Sequence, residues 1–381
     1  MKYFNNLLAL VALLSILFTA CSKDDPIIGG EDDLPSQTVT AIDGFYLLNQ
    51  GNMNTNKASL DFYDYTSGKY KSNVFGDINP EAVLGLGDVG NDLGIYGSKL
   101  YAVINKSNKV EIMDAKTAKR LKVIDIDNAR FITFAEGKAY VSAYGSSLNG
   151  FVAEIDTATY EISRTVEVGR QPEQLAIVDG KIYVANAGWV SPSGIAPDYE
   201  TSLSVIDLNS FNVIDEIEVG TNLLHVKADK YGDLYVSSQG DFVAVTSKLH
   251  VVDTKTNMVK KTFDVPVANL TIVEDIAYIV SSTYDWDSGG NITGYHQVDI
   301  KNEVLLNGSF LPKSVSDEIT APSTLAVDPA SKFIYIADAR DYVSPGKLYC
   351  MNKEGELQFT KETGDVPASI AFRYITTTVK K

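Results

Sequence analysis

The sequence predicts an all-β fold: a seven-bladed β-propeller of four-stranded blades, with the first blade closed by the C-terminal strand. Three observations predict it. A four-part unit rich in Val, Ile, Leu and Tyr recurs at roughly 40 to 55 residue intervals, the signature of a repeat architecture. Gly, Asn, Asp and Ser separate its segments, and helix-period stretches are nearly absent, residues 79–87 being expected to hold one short helical turn. Finally, a strand-like segment at the end of the chain, Ser369 to Ile375, has no unit of its own.

The N-terminus comes first. Lys2 precedes an apolar stretch from Leu7 to Phe18, too short to span a bilayer and suited to the core of a signal peptide. It ends in Phe18-Thr19-Ala20-Cys21, which resembles a bacterial lipobox, with Phe18 where Leu is usual. Residues 1–20 are therefore expected to be a lipoprotein signal and Cys21 the lipidated residue. Ser22-Lys23-Asp24-Asp25 and the polar run behind it read as a flexible tether over 21–37, because such a composition buries too little apolar surface to fold. The acidic patch behind Cys21 resembles the surface-export signal of some Gram-negative lipoproteins. The expected location is the outer membrane, lipid-anchored and facing outward.

The propeller is expected over 38–381. The chain carries 33 basic and 49 acidic residues, and losing Lys2 with the signal leaves 32 − 49 = −17. That excess disfavours nucleic acid and anionic lipid as partners and keeps an exported protein soluble. Of two cysteines, one is consumed by lipid, so no disulfide framework is expected in spite of an oxidising destination.

The repeat is clearest from Glu173 to Asn222, where QLAIVDG, KIYVANAG, TSLSVIDL and NVIDEIEVG read as four strands joined by tight turns such as Asp179-Gly180. Further copies begin at Leu93, Phe131, Val226, Leu270 and Thr324. A seventh, from Gly44 to Gly76, lacks its first strand, which Ser369 to Ile375 is expected to supply. Such a closure joins the ends of the ring and removes free sheet edges. A parallel β-solenoid has shorter coils without regular hairpins, and a pair of β-sandwiches would not repeat seven times.

The unit G-x-[IL]-Y-V-x-N…V-x-V-[IV]-D-x-x-T…V-x-x-[IFV]-x-V-G is carried best by Gly180 to Asn186, Leu203 to Asp207 and Val213 to Gly220. It resembles the YncE-like seven-bladed propellers, a resemblance specific for fold and poor for function. Combined with the lipobox, the acidic tether and the opening FYLLNQGNMNTNKASLDFYD, the chain looks like the BtuG-type surface lipoproteins. That resemblance implies capture of cobalamin (vitamin B12) or a related corrinoid, and its transfer to a TonB-dependent outer-membrane transporter. It implies a binding protein rather than an enzyme. A glycan- or protein-binding envelope propeller is the alternative reading, and a propeller lyase or hydrolase a third.

In a propeller, the loops joining strand two to three and strand four to the next blade meet at one mouth. The expected contacts lie there: Trp189 and Tyr199 in the long loop 188–200, then Trp286, Phe242, Asn52, Tyr144, Tyr342 and Arg340. Aromatic rings suit the face of a flat ligand, and amides suit its polar rim. Asn and Gly also occur in loops for backbone reasons alone.

Catalytic and metal motifs are weak. His225, His250 and His296 have no metal-ligand spacing; His250 and His296 fall on third strands, and His225 lies near the channel mouth. Gly85 to Gly90 matches G-x-G-x-x-G, but a strand follows it instead of a helix. Asp285-Trp286-Asp287 resembles the start of a calcium loop, yet its twelfth position is His296 where an EF-hand has Glu. A calcium site would have to be built otherwise, and no cofactor is expected. Neither G-x-S-x-G nor a Cys/His pair suggests a nucleophile.

Overall fold

The computed structural model describes residues 36–188, 197–285 and 289–380. Cys21, Trp189 and Trp286 lie outside them. The chain divides into a propeller unit, 40–376, and a second unit made of residues 1–39 and 377–381. The propeller unit contains seven four-stranded antiparallel sheets. In blade 1 the strand order is Pro367–Lys380, Ser36–Asn49, Ser59–Asp64 and Lys69–Lys71, so the C-terminal strand supplies the missing innermost strand as expected. The innermost strands of blades 2 to 7 are Gly90–Tyr96, Ala129–Ala135, Pro172–Val178, Leu223–Ala228, Asn269–Val273 and Pro322–Val327.

Each repeat motif has a physical cause. The motif Tyr is buried in the second strand of every blade, as Tyr46, Tyr101, Tyr140, Tyr183, Tyr235, Tyr278 and Tyr335. Its ring packs in the seam between blades, and in blades 1, 5 and 7 its hydroxyl reaches the next blade just after the third strand. Tyr46 donates to the Ala115 carbonyl at 3.0 Å, Tyr235 to the Ile300 carbonyl at 3.4 Å, and Tyr335 meets the Tyr65 hydroxyl at 3.0 Å. The Tyr101 hydroxyl is buried without a partner among the described residues. Seven apolar clusters follow, each shared by two neighbouring blades, so the core is a ring of inter-blade seams.

The motif Asp ends the third strand of blades 1 to 6 and caps the turn that follows. Ser67, Thr117, Thr159, Ser210, Lys255 and Asn302 donate backbone N–H groups to Asp64, Asp114, Asp156, Asp207, Asp253 and Asp299 at 2.7 to 3.0 Å. In blade 7 the cap is Asn352. The turn donors hold Asp64, Asp207, Asp253 and Asp299 below the usual carboxylate range, and Lys138, with the turn N–H groups behind it, does the same for Asp156. A depressed carboxylate contributes stability that is complete above the unfolded value near 4 and is lost as pH falls through the folded value. Asp61 and Asp92, raised by burial, oppose this trend. The melting temperature is expected to fall as pH drops from about 5 towards 2, measurable by circular dichroism at matched ionic strength.

Two short helices interrupt the pattern, α1 (Val74–Ile78) and α2 (Lys313–Ser316). The helical turn expected over 79–87 therefore lies one step earlier. Asn79 ends α1, its N–H on the Phe75 carbonyl and its side chain on the Ala118 carbonyl of blade 2. Gly85 to Gly90 leads into an innermost strand and precedes no helix. His250 and His296 sit on third strands; His250 is buried between the Ser238 and Thr262 hydroxyls and pushed down to about 4 by burial. Cys350 is a free, buried thiol pushed up to about 12.

Candidate functional site

Backbone hydrogen bonds tie the strand-two-to-three loops to the connections entering each blade. Gly51 N–H binds the Asp365 carbonyl, Gly145 that of Asp127, Gly188 that of Arg170 and Gly240 that of Thr221. Both loop sets therefore form one face around the channel mouth. These glycines have φ from +64° to +73°, a left-handed turn that costs glycine little. A Cβ on Gly240 would stand 1.9 Å from the Val245 carbonyl oxygen. Gly240→Ala is expected to cost about 2 kcal/mol or more and to distort the loop, checked by chemical denaturation. In blade 7 the same position is Arg340, with φ +54° and its guanidinium on the Pro345 carbonyl at 3.3 Å.

The two faces differ in what they expose. The mouth loops carry Met53, Leu148, Phe242, Val243, Val245, Tyr342 and Val343, with Val243 93% exposed and Phe242 64% exposed. The loops of the opposite face expose Tyr231, and the strand ends beside them expose Met258, Leu357 and Tyr374. Scattered apolar surface is ordinary, but its concentration on one face marks a place of contact.

Two of these loops share a construction. Asp241-Phe242-Val243 in blade 5 and Asp341-Tyr342-Val343 in blade 7 follow the same left-handed turn. The Asp241 carboxylate accepts the N–H groups of Val243, Ala244 and Val245 at 2.7 to 2.9 Å. Asp341 accepts those of Val343 and Ser344 at 3.0 and 2.7 Å, donors that pull its carboxyl down to about 2. Each aromatic is held at positive φ, +61° for Phe242 and +62° for Tyr342, a conformation that costs a bulky residue. The same turn leaves both rings more than half exposed on the mouth face, each followed by an exposed valine.

Between these blades stands the long hairpin Ile276–Asp285 and Gly290–Asp299. It and the blade-5 loop enclose a groove of about 550 Å³ lined by Phe242, Val243, Val245, Pro266, Val267 and Tyr284. Beside it, Tyr199 of blade 4 has its ring 6.2 Å from that of Phe242 and edge-on. Of the expected contacts, the structure thus brings Tyr199 and Phe242 together. Tyr342 is on the same face at blade 7, and Asn52 lies beside exposed Met53 at blade 1. Tyr144 is committed to the wall: its hydroxyl donates to Glu173 and its ring lies 4.9 Å from the Arg130 guanidinium. Sequence reasoning passed over Val243, Val245 and Val343; the repeated Asp-[Phe/Tyr]-Val was the available signal for Val243 and Val343.

His225 lines the channel, its Nε2 3.1 Å from the Ala268 carbonyl, and burial pushes its ring down to about 4. It is neutral at pH 7. Among the described residues, no group of three or more His, Cys, Asp or Glu is placed to hold a metal ion.

A ring of seven four-stranded sheets with one aromatic, apolar loop face defines the class, a seven-bladed β-propeller. The chain belongs to the family described as Domain of unknown function (DUF5074), whose model matches residues 43–344. In fold it is similar to a quinoprotein alcohol dehydrogenase-like protein of Bacteroides thetaiotaomicron, with 16% identity, 87% of this chain and 78% of that one covered, and a TM-score of 0.64. It is also similar to hydrazine synthase of Kuenenia stuttgartiensis, with 13% identity, coverage of 77% and 95%, and a TM-score of 0.60. The Pan2 WD40 domain of Neurospora crassa matches at 12% identity, coverage of 74% and 80%, and a TM-score of 0.53. No curated protein matches the chain in sequence.

Proposed function

We propose that this propeller is a binding protein that captures a large, flat ligand on its aromatic loop face, the ligand being cobalamin or a related corrinoid. The observation that carries the reading is the pair of equivalent loops that hold Phe242 and Tyr342 outward at a backbone cost. A rigid aromatic gives large contact area at low entropy cost, and a groove of about 550 Å³ beside it accepts part of a bulky ligand. A corrin is a broad plane rimmed by amides, and the face supplies rings for the plane with Asn52 for the rim.

In this reading Cys21 carries the lipid, the tether projects the propeller outside the outer membrane, and a TonB-dependent transporter receives the ligand. No catalytic step is assigned. The test is gel filtration of the purified protein mixed with cyanocobalamin, monitored at visible wavelengths. Co-elution of one coloured ligand per chain supports capture. Colourless protein removes the corrinoid and turns the reading to glycans, which the same aromatics and amides would suit.

A further inference from the structure

The innermost strands wall an axial channel with a cavity of about 540 Å³, distinct from the groove between the loops. Its polar wall includes Asn91, Asp92, Gln174, His225, Lys227 and Ser369. Most of these groups are satisfied within the wall. Asp92 accepts the Leu93 N–H at 2.9 Å, the Ile132 N–H at 3.0 Å and the Ser369 hydroxyl at 3.1 Å. Asn91 holds Arg130, at 2.7 Å, and Gln174 accepts the Val226 N–H at 3.1 Å. His225 is neutral and bound to the Ala268 carbonyl.

Lys227 is the exception. Its side chain lines the channel part-exposed, its ammonium makes no hydrogen bond or ion pair with any described residue, and desolvation by the wall pulls its pKa down against the charge of Asp92. An ammonium that faces a channel with no protein acceptor is open to an anion, and a charge-assisted hydrogen bond between channel walls is stronger than one in bulk water. Innermost strands also have one unpaired edge, so backbone N–H groups face the axis as further donors. One cation is available and Asp92 shares the cavity, which favours a single negative charge over a dianion. The volume exceeds that of one water, about 30 Å³, many times over. Phe131, Leu224 and Ile370 give the wall apolar surface as well.

We propose that the axial channel binds a small monocarboxylate, with the carboxylate on the Lys227 ammonium and a short apolar tail against Phe131 and Ile370. This site stands apart from the loop face and does not depend on the corrinoid reading.

The experiment is thermal unfolding of the purified protein and of Lys227→Met with butyrate, with chloride and phosphate at matched ionic strength as controls. Butyrate at a large excess is expected to raise the wild-type midpoint by ~3 °C or more beyond chloride. Lys227→Met is expected to lose the butyrate response. An equal butyrate response in both proteins overturns the proposal, as does a phosphate response matching that of butyrate. If Lys227→Met does not fold, the ammonium is compensated within the wall and the proposal fails on that ground. Saturation-transfer NMR on the wild type gives an independent reading: transfer to the butyrate methyl, displaced by propionate and not by chloride, is expected, and no transfer overturns the site.

Discussion

A chain ending at Val366 is expected to lose cooperative folding altogether. The truncation removes the innermost strand of blade 1, whose carbonyls at Pro367 and Ala368 accept hydrogen bonds from the Ser323 and Thr324 hydroxyls of blade 7 at 2.6 and 2.7 Å. It also removes Ser369 from Asp92 of blade 2, and Arg373, which pairs with Asp43 at 2.7 Å and lies 4.2 Å from the Phe62 ring centroid. The strand is therefore held by blades 7, 1 and 2 together. Its loss opens the ring at a seam and exposes the edge of Ser36–Asn49, whose Phe45, Tyr46, Leu47 and Leu48 are fully buried or nearly so. A domain's whole stability is about 5–15 kcal/mol, and this change removes a large part of one blade's share of it. Circular dichroism melting is the measurement: a broad, non-cooperative or absent transition is expected. A sharp transition near the wild-type midpoint would mean that closure contributes little.

The second large effect falls on the pair Arg130 and Glu173. Glu173 is 5% exposed and receives Arg130 Nε at 3.0 Å and Nη2 at 2.8 Å, with the Tyr144 hydroxyl on the same carboxylate. The pair joins blades 3 and 4 beside the channel. Glu173→Ala leaves a guanidinium and a phenol short of their acceptor in a site poor in water. Removing one partner of a buried pair costs about 3–5 kcal/mol, more than the intact pair is worth, because the cost is the charge left behind. Denaturant titration is expected to show that loss. The double change Glu173→Leu with Arg130→Met is expected to recover much of it, since the orphaned charge is gone. A double variant as unstable as Glu173→Ala would show instead that the pair's geometry is what matters.

The fold was legible because the repeat writes the same physics seven times. The second-strand Tyr and the third-strand Asp recur at fixed offsets, and each has one job, bridging blades or capping a turn. Even the closure could be read, since Gly44 to Gly76 was one strand short and Ser369 to Ile375 one strand over. The helical turn was misplaced because α1 begins after Asn73 in a left-handed conformation, an entry that residue pattern does not announce.

The site was legible only in outline. Topology alone put the loops on one face and gave Tyr199, Phe242, Tyr342 and Asn52 their places. Whether a loop aromatic faces water or wall depends on backbone dihedrals and on partners distant in sequence. Tyr144 turns inward because Glu173 lies 29 residues further on, and Arg340 occupies a left-handed turn that four other blades fill with glycine. Lys227 was invisible for the same reason: a lysine in a strand is ordinary until every neighbour's bond has been assigned.

The most direct test of the account is an equilibrium titration of cyanocobalamin into the wild type, Phe242→Ala, Val243→Asp and Tyr231→Asp, with all four confirmed as folded. The account predicts saturable binding by the wild type. It predicts affinity weakened by ~tenfold or more in the two loop-face variants and unchanged in Tyr231→Asp on the opposite face. No binding by the wild type, or equal loss from both faces, would contradict it.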